Sequence, residues 1–222
     1  MARQPGPRKR LPRQDRERAI IQGAVAFFAE VGFDGGTREL AMRLGITQPL
    51  LYRYFPSKEA LLDRVYQTVY LSKWDPNWES QLADRSVPLE ERLITFYGDY
   101  ARVILNYEWI RLFMFAGLKG LDFNTRYLTF LRGSVFERVV TELRLAHGLS
   151  VELPPRSEEI ELVWSLHASI FYIGVRKWIY GLPTPPDQDA DLAWRIRAFL
   201  HGAPAAFAAL AESAANPAPD HR

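Results

Sequence analysis

Apolar residues recur along this chain at three- and four-residue spacing in one segment after another, and no stretch alternates apolar and polar residues over the length of a strand. That period predicts helices throughout. Ile20, Ala24, Phe27, Phe28 and Val31 mark the inner face of a first helix over about Gln14 to Val31, ended by Gly32. Leu40, Ala41 and Leu44 mark a short second helix that Thr37 can cap. Gly45 then offers the positive-φ position that ends a helix, with Ile46 packing back over it. Thr47 is a second cap. Gln48 and Pro49 follow it in a first turn where a missing N–H costs nothing, and the third helix runs through Leu51 to Phe55, both assigned to the core. After Pro56, Ser57 caps a fourth helix reaching about Tyr70, with Glu59 near its positive end and Leu61, Leu62, Val65 and Val69 facing inward.

Trp74 to Pro88 breaks the pattern with turn residues and marks a domain boundary. Beyond it the helical period resumes. Leu89, Leu93, Phe96, Tyr97, Tyr100, Val103 and Ile104 define one helix, and Trp109, Leu112, Phe113 and Ala116 the next, closed by Gly117 to Gly120. Leu128, Leu131, Val135, Val139 and Leu143 define a long third, ended at His147-Gly148. The segment from about Ser157 to Tyr180 is apolar on more than one side, which predicts burial on more than one side. A last helix over about Asp189 to Ala214 carries Leu192, Ile196, Phe199, Leu200, Ala203, Phe207 and Leu210, and Pro204 should kink or interrupt it. The fold class is all-α.

Composition narrows this. An apolar fraction of 48% over 222 residues supplies an ordinary core for a small and a medium domain. The net charge of +2 hides a basic N-terminal portion, where Arg3, Arg8, Lys9, Arg10, Arg13, Arg16 and Arg18 are followed by Arg38, Arg43, Arg53, Lys58 and Arg64. Such a bias is a local footprint for a polyanion. Residues 1–12, rich in Pro, Arg and Gly, read as a disordered basic arm that can brush DNA. The absence of cysteine excludes disulfides and thiolate chemistry and fits a reducing cytoplasm. No run of eighteen uncharged apolar residues predicts a membrane span.

Helix, glycine turn, helix over about residues 36–55 is helix-turn-helix grammar, in which the second helix enters the major groove. Its leading residues here are Thr47, Gln48, Pro49 and Leu50, with Tyr52, Arg53 and Tyr54 one turn on. Gln48 can take the adenine N6/N7 edge, Arg53 the guanine O6/N7 edge or a phosphate, and Pro49 or Leu50 a thymine methyl. Thr37, Arg38 and Lys58 are expected phosphate anchors.

Gly32-Phe33, Thr37, Leu40-Ala41, Gly45-Ile46-Thr47, Leu51-Tyr52, Phe55 and Lys58-Glu59-x-Leu61-Leu62, all in one register, resemble the N-terminal domain of tetracycline-repressor (TetR) family regulators. Leu50 stands where a small or polar residue is frequent there, and Tyr54 where histidine is common. The resemblance covers about Arg13 to Lys73. It implies a three-helix helix-turn-helix domain over 13–73, a helical effector-binding and dimerisation domain over 74–222, a palindromic double-stranded DNA operator and a homodimer. It also implies that Gln48, Pro49 and Leu50 face bases while Tyr52, Tyr54 and Lys58 face the backbone. The last two long helices would pair across a twofold axis, with Trp164, Phe171, Gly174, Trp178, Ile196, Phe199, Leu200 and Phe207 as interface candidates. A small, apolar or aromatic effector would sit inside the second domain, among Tyr97, Tyr100, Trp109, Phe113, Tyr127, His167, Phe171 and Tyr172, and would act on DNA affinity through the fourth helix.

Catalysis is not expected. Gly-x-Ser-x-Gly, GxxxxGK and His-Glu-x-x-His are absent and the four histidines are scattered. Asp187-x-Asp189-x-Asp191 lacks the glycine of a calcium loop and reads as helix-start acids, so neither metal nor cofactor is expected. A ligand-independent regulator or an activator shares every motif. An all-α enzyme or a protein-binding adaptor is the remote alternative.

Overall fold

The computed structural model describes residues 12–215, with side chains to residue 208. The basic arm, Pro12 apart, lies outside the described residues, as do the tail from Asn216 and the Leu210 side chain. The chain divides into two compact units, Met1–Lys73 and Trp74–Arg222. All regular structure in the described residues is helical.

The first unit holds α1 (Arg13–Val31), α2 (Thr37–Arg43), α3 (Gln48–Tyr54) and α4 (Lys58–Val69), followed by a 3₁₀ turn over Leu71–Lys73. Its core is Ile20, Ala24, Phe27 and Phe28 of α1 against Leu40, Leu51, Phe55, Leu61 and Val65, all at most 3% exposed. Val31 does not join them. It is 37% exposed on the last turn of α1, whereas Gly32 and Phe33 just after it are buried. At Gly23 a Cβ would fall 2.2 Å from Leu44 Cδ2, so the missing side chain lets the end of α2 approach α1.

The second unit holds α5 (Asn77–Ala83), α6 (Leu89–Ile104), α7 (Tyr107–Leu118), α8 (Phe123–Leu131), α9 (Glu137–Ala146), α10 (Ser157–Trp178) and α11 (Gln188–Ala215). Three features depart from the sequence reading. The break after Trp74 contains α5, whose Trp78 and Leu82 are buried. The long helix expected around Leu128 to Leu143 is α8 and α9 joined by a π turn over Arg132–Phe136. Buried Phe123, Tyr127, Leu131, Val135, Val139 and Leu143 step by four, which drifts off one face of a 3.6-residue helix, and a wider turn recovers that drift. Finally, Pro204 does not interrupt α11, which runs on to Ala215.

Charges inside this unit are paired. The Glu142 carboxylate, 2% exposed, accepts from Arg92 Nη1 at 2.9 Å and from Arg85 Nη2 at 3.0 Å. Arg144 donates from Nε to Glu159 Oε1 at 2.9 Å and from Nη1 to the Leu153 carbonyl at 2.7 Å. Burial disfavours charge on Glu142 and on Glu159, but the guanidinium hydrogen bonds outweigh it and hold both carboxyls below their ordinary range.

Glu142→Gln therefore leaves buried Arg92 without its counter-charge, and chemical denaturation should show a loss of about 3 kcal/mol at neutral pH. A carboxyl whose folded-state value is lowered contributes stability above the ordinary carboxylate value of about 4.3 and loses it as pH falls through the lowered one. The difference between wild type and variant should accordingly shrink below about pH 4. Equal stability of the two proteins at pH 7 would contradict this.

Candidate nucleic-acid interface and aromatic interior

The turn between α2 and α3 is fixed by backbone chemistry. Gly45 takes φ 62°, while Ile46 N donates to the Ala41 carbonyl at 3.0 Å and Gly45 N to the Met42 carbonyl at 3.1 Å, so the last carbonyls of α2 are satisfied by a Schellman motif. Thr47 then caps α3, its hydroxyl accepting from Leu50 N at 3.3 Å. Ser57 caps α4 in the same way through Ala60 N at 3.1 Å. Leu51 and Phe55 point into the core, at 1% and 3% exposure, which turns the opposite side of α3 outward.

On that outward side Thr47, Pro49, Tyr52 and Arg53 are exposed, with Gln48, Leu50 and Tyr54 half-buried. Arg38 and Arg53 are exposed cations that pair with no described residue. Arg43 differs, because Glu30 at 2.6 Å and Glu39 at 3.2 Å neutralise it and it lies over the Phe27 ring. Lys58 is also committed within the unit: its Nζ donates to the Phe33 carbonyl at 2.6 Å, tying the start of α4 to the loop after α1.

Thr37 is not the cap the sequence suggested. Gly36 holds that position and Thr37 is the first helical residue, its buried hydroxyl 2.9 Å from Gln48 Nε2 and 3.0 Å from Tyr52 Oη. Three expected contact residues are thus brought together, with Arg38 and Arg53 alongside in sequence. No residue-type signal announced the bonds among them, which depend on the turn placing α3 against the start of α2.

In the second unit, Tyr97, Tyr100, Trp109, Tyr127 and His167 are buried among rings. Tyr100 Oη lies 3.0 Å from Tyr127 Oη, Trp109 stacks on Phe113, and Phe171 packs edge-on to both. Burial, then the neighbouring Tyr127, pushes the Tyr100 phenol well above its ordinary value. Burial lowers the His167 pKa to about 4, so the ring is neutral at pH 7. Tyr97 Oη and His167 Nδ1 are buried with no hydrogen-bond partner. Tyr172 does not belong to this group: it is 50% exposed and its ring meets Tyr180. A separate groove of about 510 Å³ is lined by Leu149, Leu153, Pro154, Pro155 and Phe207 beside the paired Arg144 and Glu159.

Several expected interface residues serve the chain's own core instead. A Cβ on Gly174 would meet Ile110 Cδ1 at 2.5 Å, so this glycine admits α7. Ile196 and Phe207 are at most 3% exposed, and Trp178 Nε1 donates to the Leu105 carbonyl at 3.3 Å. Trp164, Phe171, Phe199 and Leu200 are half-buried, with Trp164 edge-on to Phe136 and close to His167. The outer faces are Ser165, Ala168 and Tyr172 on α10 and Trp194, Ala198, His201 and Ala205 on α11, with Trp194 at 66% exposure. Of the acids at the start of α11, Asp187 Oδ1 accepts from Ala190 N at 2.9 Å, Asp191 pairs with Arg195 at 2.7 Å, and Asp189 pairs with Arg102 of α6 at 3.2 Å. Among the described residues no His, Asp and Glu group could hold a metal ion, and no helix is long and apolar enough to cross a membrane.

The first unit is thus a helix-turn-helix domain, its second short helix anchored by one buried edge. Residues 20–65 match the family described as bacterial regulatory proteins, tetR family. The chain is 36% identical over 92 residues to the class A tetracycline repressor protein of Escherichia coli, covering 38% of this chain and 42% of that protein. It is 34% identical over 103 residues to the class D tetracycline repressor protein of Escherichia coli, covering 43% and 46%. The matches therefore span less than half the length of these relatives. In fold, a TetR-like transcriptional regulator from Rhodococcus sp. RHA1 superposes with TM-score 0.65 at 20% identity, over 87% of this chain and all of that one. A tetR-family transcriptional regulator from Streptomyces coelicolor gives TM-score 0.60 at 18% identity over 89% and 85%. Residues 20–65 are thus similar to the DNA-binding domain of TetR-family regulators, and most of the chain shares its fold with solved TetR-family regulators.

The unpartnered phenol gives a test of the interior. Removing a buried hydroxyl that bonds nothing removes its desolvation cost, so Tyr97→Phe should raise the unfolding free energy of the ligand-free protein by about 1 kcal/mol. A loss of similar size in denaturant titration would mean that the hydroxyl is already satisfied.

Proposed function

We propose that this chain is a sequence-specific DNA-binding transcriptional regulator, a homodimeric repressor released from a palindromic operator by a small effector. The observation that carries the reading is the outward side of α3. There Gln48 and Tyr52 are held in place, Arg53 lies open, as does Arg38 on α2, and Leu51 and Phe55 fasten the helix from behind. A short helix so presented fits the major groove, with Gln48, Pro49 and Leu50 toward base edges. Arg38, Arg53 and Tyr52 are suited to phosphates, and Lys58 can add a second hydrogen bond beyond the one to Phe33. Repression is supported by relatives that are named repressors.

The effector we assign to the aromatic interior is uncharged and largely apolar or aromatic. Tyr97 and His167 would meet its polar group and Trp109, Phe113 and Phe171 its body. Such a ligand favours one conformation of the dimer over the other, and α4, the last helix of the first unit, is the element suited to transmit that preference. The outer faces of α10 and α11 are the surfaces we assign to the dimer. Their small residues allow close helix approach, and Trp194 supplies a large apolar anchor.

The direct experiment is selection of bound genomic fragments, repeated with metabolite extracts to find what releases them. On a selected fragment, Arg38→Ala and Arg53→Ala should each weaken binding to every sequence and reduce the salt slope by about one unit. An unchanged slope in both would remove these arginines from the interface. Ala168→Glu places a charge on the outer face of α10 without touching the core, and sedimentation should then report a monomer of unchanged helix content. A dimer that persists in this variant would refute the assigned face.

A further inference from the structure

The Thr37 hydroxyl lies between two side chains of α3 with different expected tasks. Gln48 Nε2 is 2.9 Å from it and Tyr52 Oη 3.0 Å. An amide nitrogen only donates, so Thr37 Oγ1 accepts from Gln48, and its own single proton is left for Tyr52. Tyr52, 40% exposed, can then direct its proton outward. A phosphate oxygen can only accept, so a proton pointing outward suits it. The opposite arrangement, with Tyr52 donating to Thr37, would turn an oxygen without a proton toward a phosphate. Either hydroxyl can donate between Thr37 and Tyr52; with Tyr52 donating to a phosphate, the donors run one way, from Gln48 to Thr37 to Tyr52 to the DNA backbone. Thr37 is only 8% exposed, which suits a link inside the protein better than a direct phosphate contact.

We infer that Thr37 is a positioning residue that couples the backbone contact of Tyr52 to the base reading of Gln48. Resting on the DNA-binding reading of α3, this adds a specific division of labour. Tyr52 is fixed by a phosphate, Thr37 is oriented by Tyr52, and the Gln48 amide is held by Thr37 with its nitrogen toward α2. A glutamine without that bond can turn its amide over and present oxygen and nitrogen in either order. A glutamine with it offers one order, so the same side chain discriminates more sharply between bases when the backbone contact is made. The Gln48–Thr37 bond already stands in the structure, and a phosphate at Tyr52 fixes the proton order of the chain, so readout is strongest on duplex DNA whose backbone is correctly seated.

The test uses full-length protein, a duplex chosen from genomic fragments that the wild type retains, and the set of its single base-pair variants. Thr37→Val keeps the branched shape and removes the hydroxyl. It should reduce discrimination at one base pair on the order of fivefold beyond any loss shared by all duplexes, and Thr37→Ser should restore it. Gln48→Ala should lose discrimination at that same base pair. Gln48→Ala and Tyr52→Phe should be non-additive in the wild type and additive in the Thr37→Val background. Thermal unfolding of each variant confirms that the fold is kept. If Thr37→Val weakens all duplexes alike, or Thr37→Ser fails to restore discrimination, the coupling is refuted while DNA binding stands. If Gln48→Ala discriminates as well as wild type, the coupling is refuted as well. Failure of the wild type to retain any fragment would instead overturn the DNA-binding reading and this inference with it.

Discussion

A helix of seven residues has almost no stability of its own, since nucleation costs more than so few hydrogen bonds return. Whatever α3 presents, it presents because something else holds it. Leu51 and Phe55 do so from the core side, the Thr47 hydroxyl closes its first turn, and the left-handed glycine at 45 sets the angle at which it leaves α2. Each is a local interaction of roughly a kilocalorie or a few. Together they turn a marginal helix into a fixed surface, and the reading of the first unit depends on that surface.

The second unit solves a different problem. Its aromatic side chains supply most of the buried bulk, and their polar ends must be satisfied or left at a cost. Tyr100 and Tyr127 satisfy each other, whereas Tyr97 and His167 do not find partners. Its buried carboxylates are paired, Glu142 held by Arg85 and Arg92 and Glu159 by Arg144. For the proposed effector, an interior in which Tyr97 Oη and His167 Nδ1 lack partners suits an uncharged guest better than an ion, because a buried ion would need a counter-charge.

The helices were legible because their apolar spacing is strong and their caps are chemically explicit, as at Gly45, Thr47 and Ser57. Less legible was whatever depends on which neighbour fills which space. Gly174 reads as a place for close helix approach, and it is one, but the helix that approaches is α7 of the same chain. Tyr172 shares its residue type with buried Tyr97 and Tyr100, yet it faces outward, since a helix with apolar residues on two sides does not say which side meets a neighbour. The four-residue stepping from Phe123 to Leu143 did carry a signal for the π turn, because a true α-helix would have let that stripe wind away. The bond from Lys58 to the Phe33 carbonyl had none, as it joins residues far apart in sequence.

In the proposed homodimer, α3 lies with its N-terminal residues against base edges in the major groove, twice, on one face of the duplex. Dimethyl sulfate protection of guanine N7 reads that groove directly. On a retained genomic fragment it should show two protected clusters with their centres about one helical turn, or a whole number of turns, apart. Binding that leaves every guanine N7 reactive, or that protects a single cluster, would contradict the account.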